Sequence, residues 1–388
     1  MIFSLEALQA FHGDSLLLHA GTDEEPVLLL IDGGPSGTWE TSLQPRLEEL
    51  RAERAERAGD GDALQIDLAM VSHIDSDHVA GMVDFAGELV TEQQDSQPLR
   101  YEVGTLWHNS FDDILGDDAD DLRAAAVEVL SAPVADRVAD EIRAAGLAVV
   151  ASVAEGRELR DQAQTLGWSI NEPFDGPIVL PEEGARTITL GPLTLTVACP
   201  HAAQLAKLHD AWDKWLEEHP KTVTSPASAR ASRDNSPYNL SSIAVLAECG
   251  GKRMLLTGDA RDDHVLAGLD EAGIAKDGRC HVDILKLPHH GSIRNMRAEF
   301  FASVTADHYV ISADGRHGNP ETATLALIAD SRADDDFTIH LTNRVGTDDL
   351  EQRLDAFLAA KEKAGRRYAM SFRAEDALSL RIDLLEGS

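Results

Sequence analysis

Four side chains able to hold a metal fall within six residues in His73-Ile74-Asp75-Ser76-Asp77-His78, directly after the apolar run Ile66–Val71. Imidazole suits Zn, Mn or Fe, and carboxylates widen the choice toward Mn and Mg. A second signal is Leu255-Leu256-Thr257-Gly258-Asp259, where an apolar run ends in one carboxylate. A carboxylate at a strand terminus can bridge two cations that together activate a water. The third is Leu285-Lys286-Leu287-Pro288-His289-His290-Gly291-Ser292, in which two adjacent histidines follow an apolar run and Pro and Gly fix the turn. Alone, Gly-Asp is a common turn and paired histidines are often surface residues. All three segments share one form, an apolar strand followed by a ligand-rich turn, so their ligands can converge at one end of a sheet.

The elements that must position them alternate in type. Leu16–Leu18 and Val27–Ile31 read as strands, the second ended by Gly33-Gly34-Pro35, and Ile66–Val71 and Val103–Trp107 read as buried strands. Residues 42–57 and Val79–Leu89 carry helical spacing. From about 110 to 175 the chain is rich in Ala, Asp, Glu and Arg with helical periodicity, which predicts a helical insertion. Strands return over 178–198, a helix follows at His201–Glu218, and the Ser- and Pro-rich stretch 220–237 is expected to be a mobile loop. Strands then come at 243–248, 253–256, 282–286, 308–312, 337–341 and 379–384. Helices come near 296–302, 321–329 and 349–363. Interleaved strands and helices give a layered α/β or α+β protein, and β-rich ends on both sides of the insertion fit a duplicated αββα sandwich in one domain over 1–388.

Composition narrows the function classes. The 388 residues carry a formal net charge of −34, with no basic arm. Such a surface repels polyanions at long range and argues against nonspecific nucleic-acid binding over the whole surface, although bound divalent ions reverse the field locally. Three widely spaced cysteines, Cys199, Cys249 and Cys280, form no CxxC pair and read as buried thiols. No apolar run is long enough for a membrane helix, and the N-terminus lacks the pattern of a signal peptide, so a cytoplasmic protein without membrane association is expected. Trp212 and Trp215, three apart, read as packing residues, and Arg230, Arg233 and Arg294 are possible phosphate contacts from loops.

The order Ser72–His78, Leu255–Ala260 and Leu285–Ser292 resembles the metallo-β-lactamase superfamily, most nearly the branch typified by the cytoplasmic domain of the competence protein ComEC. Phe11-His12-Gly13-Asp14-Ser15 and Leu30-Ile31-Asp32-Gly33-Gly34 resemble that branch's opening strands, and Arg316-His317-Gly318-Asn319-Pro320 its closing loop. The resemblance covers residues 1–109 and about 190–325. It implies a four-layer αββα metallo-β-lactamase sandwich and two divalent ions, Zn or Mn. His73 and Asp75 would hold one metal, Asp77 and His78 the other, Asp259 would bridge them, and His289 would complete the second set. Asp32 and Asn239 would support the ligands, and His108 and His201 are reserve ligands for a superfamily histidine that has no clear counterpart. Asp75 stands where most of the superfamily has histidine, which favours Mn over Zn. Asn319 stands where that branch often carries histidine.

The function this implies is hydrolysis by a two-metal-activated water, in an enzyme of the phosphodiesterase or nuclease kind acting on DNA or nucleotides. Asp77 would orient the water, and His290 or His317 would protonate the leaving group. One alternative keeps the fold and cleaves a small ester, lactone or phosphodiester. Another is a catalytically inactive regulatory or interaction protein.

Overall fold

The computed structural model describes residues 1–58, 63–109, 154–174, 176–181, 184–202, 239, 241–332 and 336–386. The protein is a mixed α/β structure built on two large mixed sheets. Its strands are β1 (Ile2–Leu8), β2 (Ser15–Gly21), β3 (Pro26–Gly33), β4 (Leu64–Val71), β5 (Tyr101–His108), β6 (Ser169–Ile170), β7 (Arg186–Leu190), β8 (Leu193–Cys199), β9 (Ala244–Cys249), β10 (Lys252–Leu256), β11 (Cys280–Lys286), β12 (Val304–Ile311), β13 (Thr338–Leu341), β14 (Ala369–Phe372) and β15 (Ser379–Leu385). Its described helices are α1 (Gln44–Ala58), α2 (Ser76–Gln94), α3 (154–166), α4 (Asp262–Glu271), α5 (Ala298–Ser303), α6 (Thr322–Ser331) and α7 (Leu350–Lys363).

Successive side chains of a strand point to opposite faces, and a sheet covered on both faces needs an apolar residue at nearly every position. In β2, Leu16 and Leu18 face one apolar cluster while Leu17 faces another. In β3, Leu29 and Ile31 take the first side and Leu28 and Leu30 the second. The first cluster lies between the sheets, because it also takes Leu195, Val245, Met254, Ile284 and Val310 from the second sheet. The second seats Val79, Met82, Phe85 and Leu89 of α2, at helical spacing, against the first sheet's outer face. A third seats Val265, Phe300, Leu325 and Leu354, from α4 to α7, on the outer face of the second sheet. The layers therefore run helix, sheet, sheet, helix.

The order in the first sheet is β15-β1-β2-β3-β4-β5-β6, and in the second β14-β13-β12-β11-β10-β9-β8-β7. Each has an antiparallel half and a parallel half. In the first, β1, β2 and β3 pair antiparallel, and β3, β4 and β5 run parallel. In the second, β8, β9 and β10 pair antiparallel, and β10, β11, β12, β13 and β14 run parallel. Asp32 lies at the end of β3, His73 follows β4, and Asp259 and His289 follow β10 and β11. The expected ligands thus leave the carboxyl ends of the parallel strands of both sheets, where open α/β sheets bind ligands.

Most expected elements are present within a few residues. Helix α2 begins at Ser76 rather than Val79, so Asp77 and His78 stand on its first turn and only His73 and Asp75 on the preceding loop. A helix N-terminus favours acidic side chains, and Asp75 and Asp77 are both there. Strands β1, β6 and β14 were not anticipated, β6 standing inside the stretch expected to be helical, and the strand expected over 178–180 is reduced to an isolated bridge at Leu180. Of the 110–175 segment, residues 110–153 and 175 lie outside the described residues, as do the 220–237 stretch, Trp212, Trp215, Arg230, Arg233 and nearly all of the His201–Glu218 helix. The described remainder supplies α3, which packs Leu159 and Ala163 into the outer cluster of the first sheet. The three cysteines are buried free thiols. No described helix is long and apolar enough to cross a membrane.

Candidate metal centre

The two sheet ends meet through glycine. A Cβ on Gly258 would lie 2.8 Å from the Ser72 side chain, so only glycine lets the end of β10 approach that of β4. The backbone N–H of Ile243 also donates to the Ser72 carbonyl at 2.7 Å. Helix α2 is set just as closely, since a Cβ on Gly81 would stand 2.0 Å from the Gly33 carbonyl oxygen. His73, His78, His289, His290 and Asp259 are brought together on this frame.

Each of the four imidazoles is held at Nδ1 by a different partner. His78 Nδ1 lies 2.9 Å from Asp32 Oδ2. His73 Nδ1 lies 3.1 Å from Ser72 Oγ, which donates to Asp32 Oδ2 at 2.8 Å. His289 Nδ1 lies 2.9 Å from Asn295 Oδ1 and 3.3 Å from Asn239 Nδ2. His290 Nδ1 lies 3.1 Å from the Ser312 carbonyl oxygen and 3.3 Å from Asp14 Oδ1. Partners of this kind fix ring orientation and tautomer, and leave the other ring nitrogen free to ligate.

The Nε2 atoms point inward. Those of His78 and His290 are 3.3 Å apart. Asp259 Oδ1 lies 3.3 Å from His78 Nε2 and 3.7 Å from His290 Nε2, and Asp77 Oδ2 lies 3.5 Å from the latter. The other oxygen, Asp259 Oδ2, lies 3.7 Å from His73 Nε2 and 3.6 Å from His289 Nε2, and Asp75 Oδ2 is 3.7 Å from His73 Nε2. These separations are too long for good hydrogen bonds. Atoms bound about 2.0–2.2 Å from one cation stand roughly 3.0–3.6 Å apart, so the spacing fits shared coordination. His73 Nε2 and Asp259 Oδ1 are buried with no hydrogen-bond partner, which a cation would supply. Asp14, His78, Asp259 and His290 form a buried group, with ligand atoms within 4.8 Å of one another, that could hold a metal ion.

The electrostatics point the same way. Burial opposes protonation of His78, but Asp259 and Asp32 outweigh it and hold its pKa well above the ordinary histidine value. Burial likewise opposes protonation of His290, but Asp259 and Asp14 push its pKa up to about 10. Burial raises the pKa of Asp259, but His289, His290, His78 and His73 together pull it well below the carboxylate range. A field that draws protons onto two buried imidazoles is one that draws cations.

Two expected roles change places. His289, expected beside Asp77 and His78, shares the other oxygen of Asp259 with His73, and His290, expected as a proton donor, points Nε2 into the Asp77–His78 side. The physical reason is backbone: both residues take left-handed angles, φ 46° and 52°, which turn neighbouring side chains apart. Asp32, also left-handed at φ 59°, supports both His78 and Ser72, and Asn239 touches His289, each in the supporting position expected. Such angles cost about 1–3 kcal/mol each and cluster where a site requires them. His201 stands elsewhere, with Nδ1 3.0 Å from Glu271 Oε2 and Nε2 3.0 Å from the His264 carbonyl oxygen. His108 ends β5 beside Val71, with its ring near Gly156 of α3. His317 is exposed at the rim, its ring centroid 6.4 Å from that of His12, and Arg294 is exposed on the turn after His290.

Sequence reading missed Asp14, Lys286, Asn295 and Ser312. Lys286 is fully buried, and its ammonium donates to Asp14 Oδ2 at 2.5 Å, so the Asp14 carboxylate bridges Lys286 and His290. No spacing signal marked them: β11 also carries His281 and Asp283, so a charge at its end does not stand out. No family model matches the sequence, and no curated protein matches it.

Proposed function

We propose that the centre holds two divalent cations, that the protein is a hydrolase of the metallo-β-lactamase superfamily near its ComEC-like branch, and that it cleaves phosphodiesters in DNA or nucleotides. The observation that carries this reading is Asp259: each of its carboxylate oxygens faces its own pair of imidazole Nε2 atoms. A carboxylate shared in that way would serve as the bridge between two cations. His73, Asp75 and His289 would complete one half, and Asp77, His78 and His290 the other. The carboxylate share of this donor set suits Mn as well as Zn.

When bound, the cations supply Lewis acidity and activate a water. This chain's residues do the rest. Asp77 is half-buried with its carboxylate 3.5 Å from His290 Nε2, and it orients the attacking water. Asp32, Ser72, Asn295, Ser312 and Asp14 keep the imidazoles fixed, so little reorganisation accompanies reaction. With His290 among the donors, proton delivery to the leaving group is assigned to His317 at the rim. The net charge of −34 favours a second reading in which the substrate is a small phosphodiester or ester rather than a long polyanion.

The test is cleavage of labelled single- and double-stranded DNA and of bis(p-nitrophenyl) phosphate with added Mn, Mg or Zn, beside an Asp77→Asn/His78→Ala variant and with bound metal counted. The expected result is two cations per chain and metal-dependent cleavage, reduced at least about a hundredfold in the variant. Two bound cations without cleavage of any phosphodiester would move the assignment to small esters and lactones. Failure to bind metal would leave a non-catalytic protein.

A further inference from the structure

Two loops outside the donor group form the rim of the centre. One is the turn Gln9–Asp14 between β1 and β2, and the other is the segment Ser312–Pro320 after β12. They are bonded to each other, Ser312 Oγ donating to the Gly13 carbonyl at 2.6 Å. Both are also bonded to the centre. The backbone N–H of Asp14 donates to the Asp77 carbonyl at 3.2 Å, and the Ser312 carbonyl accepts from His290 Nδ1 at 3.1 Å.

From this rim project His12, Arg316 and His317. Arg316 Nη1 lies 3.4 Å from His12 Nδ1, and the guanidinium makes no ion pair with a carboxylate among the described residues. His12 is half-buried, with Asp77, Arg316, Asp314 and His290 among its charged neighbours. The loop turns on Gly315 at φ 97°, which glycine takes freely, and holds His317 in the left-handed region at φ 60°. Arg353 fixes it, Nη1 donating to the carbonyls of Gly318 and Pro320 at 2.8 Å each. Thr347 N–H also donates to the Asp314 carbonyl at 2.7 Å. A scaffold that fixes the backbone this firmly leaves Arg316 and His317 exposed to solvent. An unpaired guanidinium offers fork-shaped donors that match phosphate oxygens, and neutral imidazole adds single N–H donors.

We propose that Arg316, His12 and His317 form an oxyanion-binding lip that holds an anionic phosphate group of the substrate beside the donor group. This rests on the hydrolase reading for what is cleaved, but not for what is bound. It also answers how an acidic protein receives an anion: charge recognition would be local, where the donor group and the Arg316 guanidinium adjoin.

The test uses the full chain loaded with Mn(II), with inorganic phosphate and thymidine 5′-monophosphate as calorimetric probes. Arg316→Ala changes an exposed side chain, so folding and bound-metal count should stay as in the parent. Phosphate affinity should fall about tenfold or more, the size of one charge-assisted hydrogen bond, and Arg316→Lys should recover part of it. The KM for bis(p-nitrophenyl) phosphate should rise in the same variant while hydrolysis of neutral p-nitrophenyl acetate is unchanged. Unchanged phosphate affinity in Arg316→Ala, with both cations bound, overturns the lip. Arg316-dependent phosphate binding without any hydrolysis keeps the lip and removes the hydrolase; hydrolysis whose KM ignores Arg316→Ala does the reverse.

Discussion

Lys286 and Asp14 form an ion pair wholly inside the protein, and the same carboxylate touches His290. Taking either partner alone from a buried pair leaves a bare charge and costs about 3–5 kcal/mol, whereas replacing both is often close to neutral. Asp14→Asn and Lys286→Met should therefore each destabilise the fold by roughly that amount in urea titrations, and the double variant should recover most of it. Cation affinity should follow a different pattern. The double variant still lacks the carboxylate behind His290, and lost ligand support costs about 10–100-fold in metal affinity. Recovery of stability together with parental metal affinity would make the pair structural only. These residues were illegible in the sequence for a physical reason. A lone Asp and a lone Lys acquire meaning only when the fold sets them together across 272 positions. His73, Asp75, Asp77, His78 and Asp259 were legible because each follows an apolar run within a few residues. The exchange between His289 and His290 was not, because spacing carries no φ.

Strands β2 and β3 could be read because each carries an unbroken apolar run, Leu16–Leu18 and Val27–Ile31, with both faces covered, while β14 is a short edge strand with half-buried positions and offers no such run. Helix α2 could be read, but its first turn lacks an apolar stripe, so its start was placed three residues late. What holds that turn in place is contact, not propensity. Gly81 N–H donates to the Gly34 carbonyl at 2.9 Å, and a Cβ at Gly81 would sit 2.0 Å from the Gly33 carbonyl oxygen. Gly81→Ala must push α2 off β3 despite alanine's better helix propensity. A loss of about 1–3 kcal/mol is expected in thermal or urea unfolding, with weaker metal binding because Asp77 and His78 ride on the same helix. A gain in stability would show that the contact yields. A second junction closes the chain ends. Glu6 on β1 accepts from Arg46 of α1 at 2.9 Å through each oxygen, from Ser379 of β15 at 2.9 Å, and lies 3.1 Å from His19 of β2. Burial opposes its charge, but His19 and Arg46 outweigh burial and hold its pKa well below the usual range. A depressed carboxyl pKa contributes stability that is complete above the ordinary value near 4.5 and is lost as pH falls below it. Glu6→Gln should cost about 3 kcal/mol near neutral pH and flatten the acid limb of the stability curve, as followed by urea midpoints between pH 7 and about 3. An acid limb as steep as the parent's would assign it to other carboxylates.

The whole molecule sets a barrier that the rim alone does not remove. Asp and Glu number 68 against 34 Lys and Arg, so an anionic substrate is repelled before it reaches the centre. Proteins that bind nucleic acid through basic surfaces lose affinity as salt rises, because displaced counterions are the driving force. Here the long-range term has the opposite sign, and under the proposed reading the close attraction comes from the bound cations and the side chains of the rim. The screening length is about 30 Å at 0.01 M and falls to about 10 Å at 0.1 M, so added salt weakens the distant repulsion of the surface before the close attraction of the rim. For bis(p-nitrophenyl) phosphate, kcat/KM of the Mn-loaded protein should therefore rise, by a factor of roughly two to ten, between about 0.01 and 0.1 M potassium chloride. The rate for neutral p-nitrophenyl acetate should stay flat. A short oligonucleotide carries more charge and should show the steeper rise. A fall in kcat/KM with salt for the oligonucleotide alone would instead mean a basic track for polymer outside the described residues, and would favour a nuclease over an enzyme of small diesters.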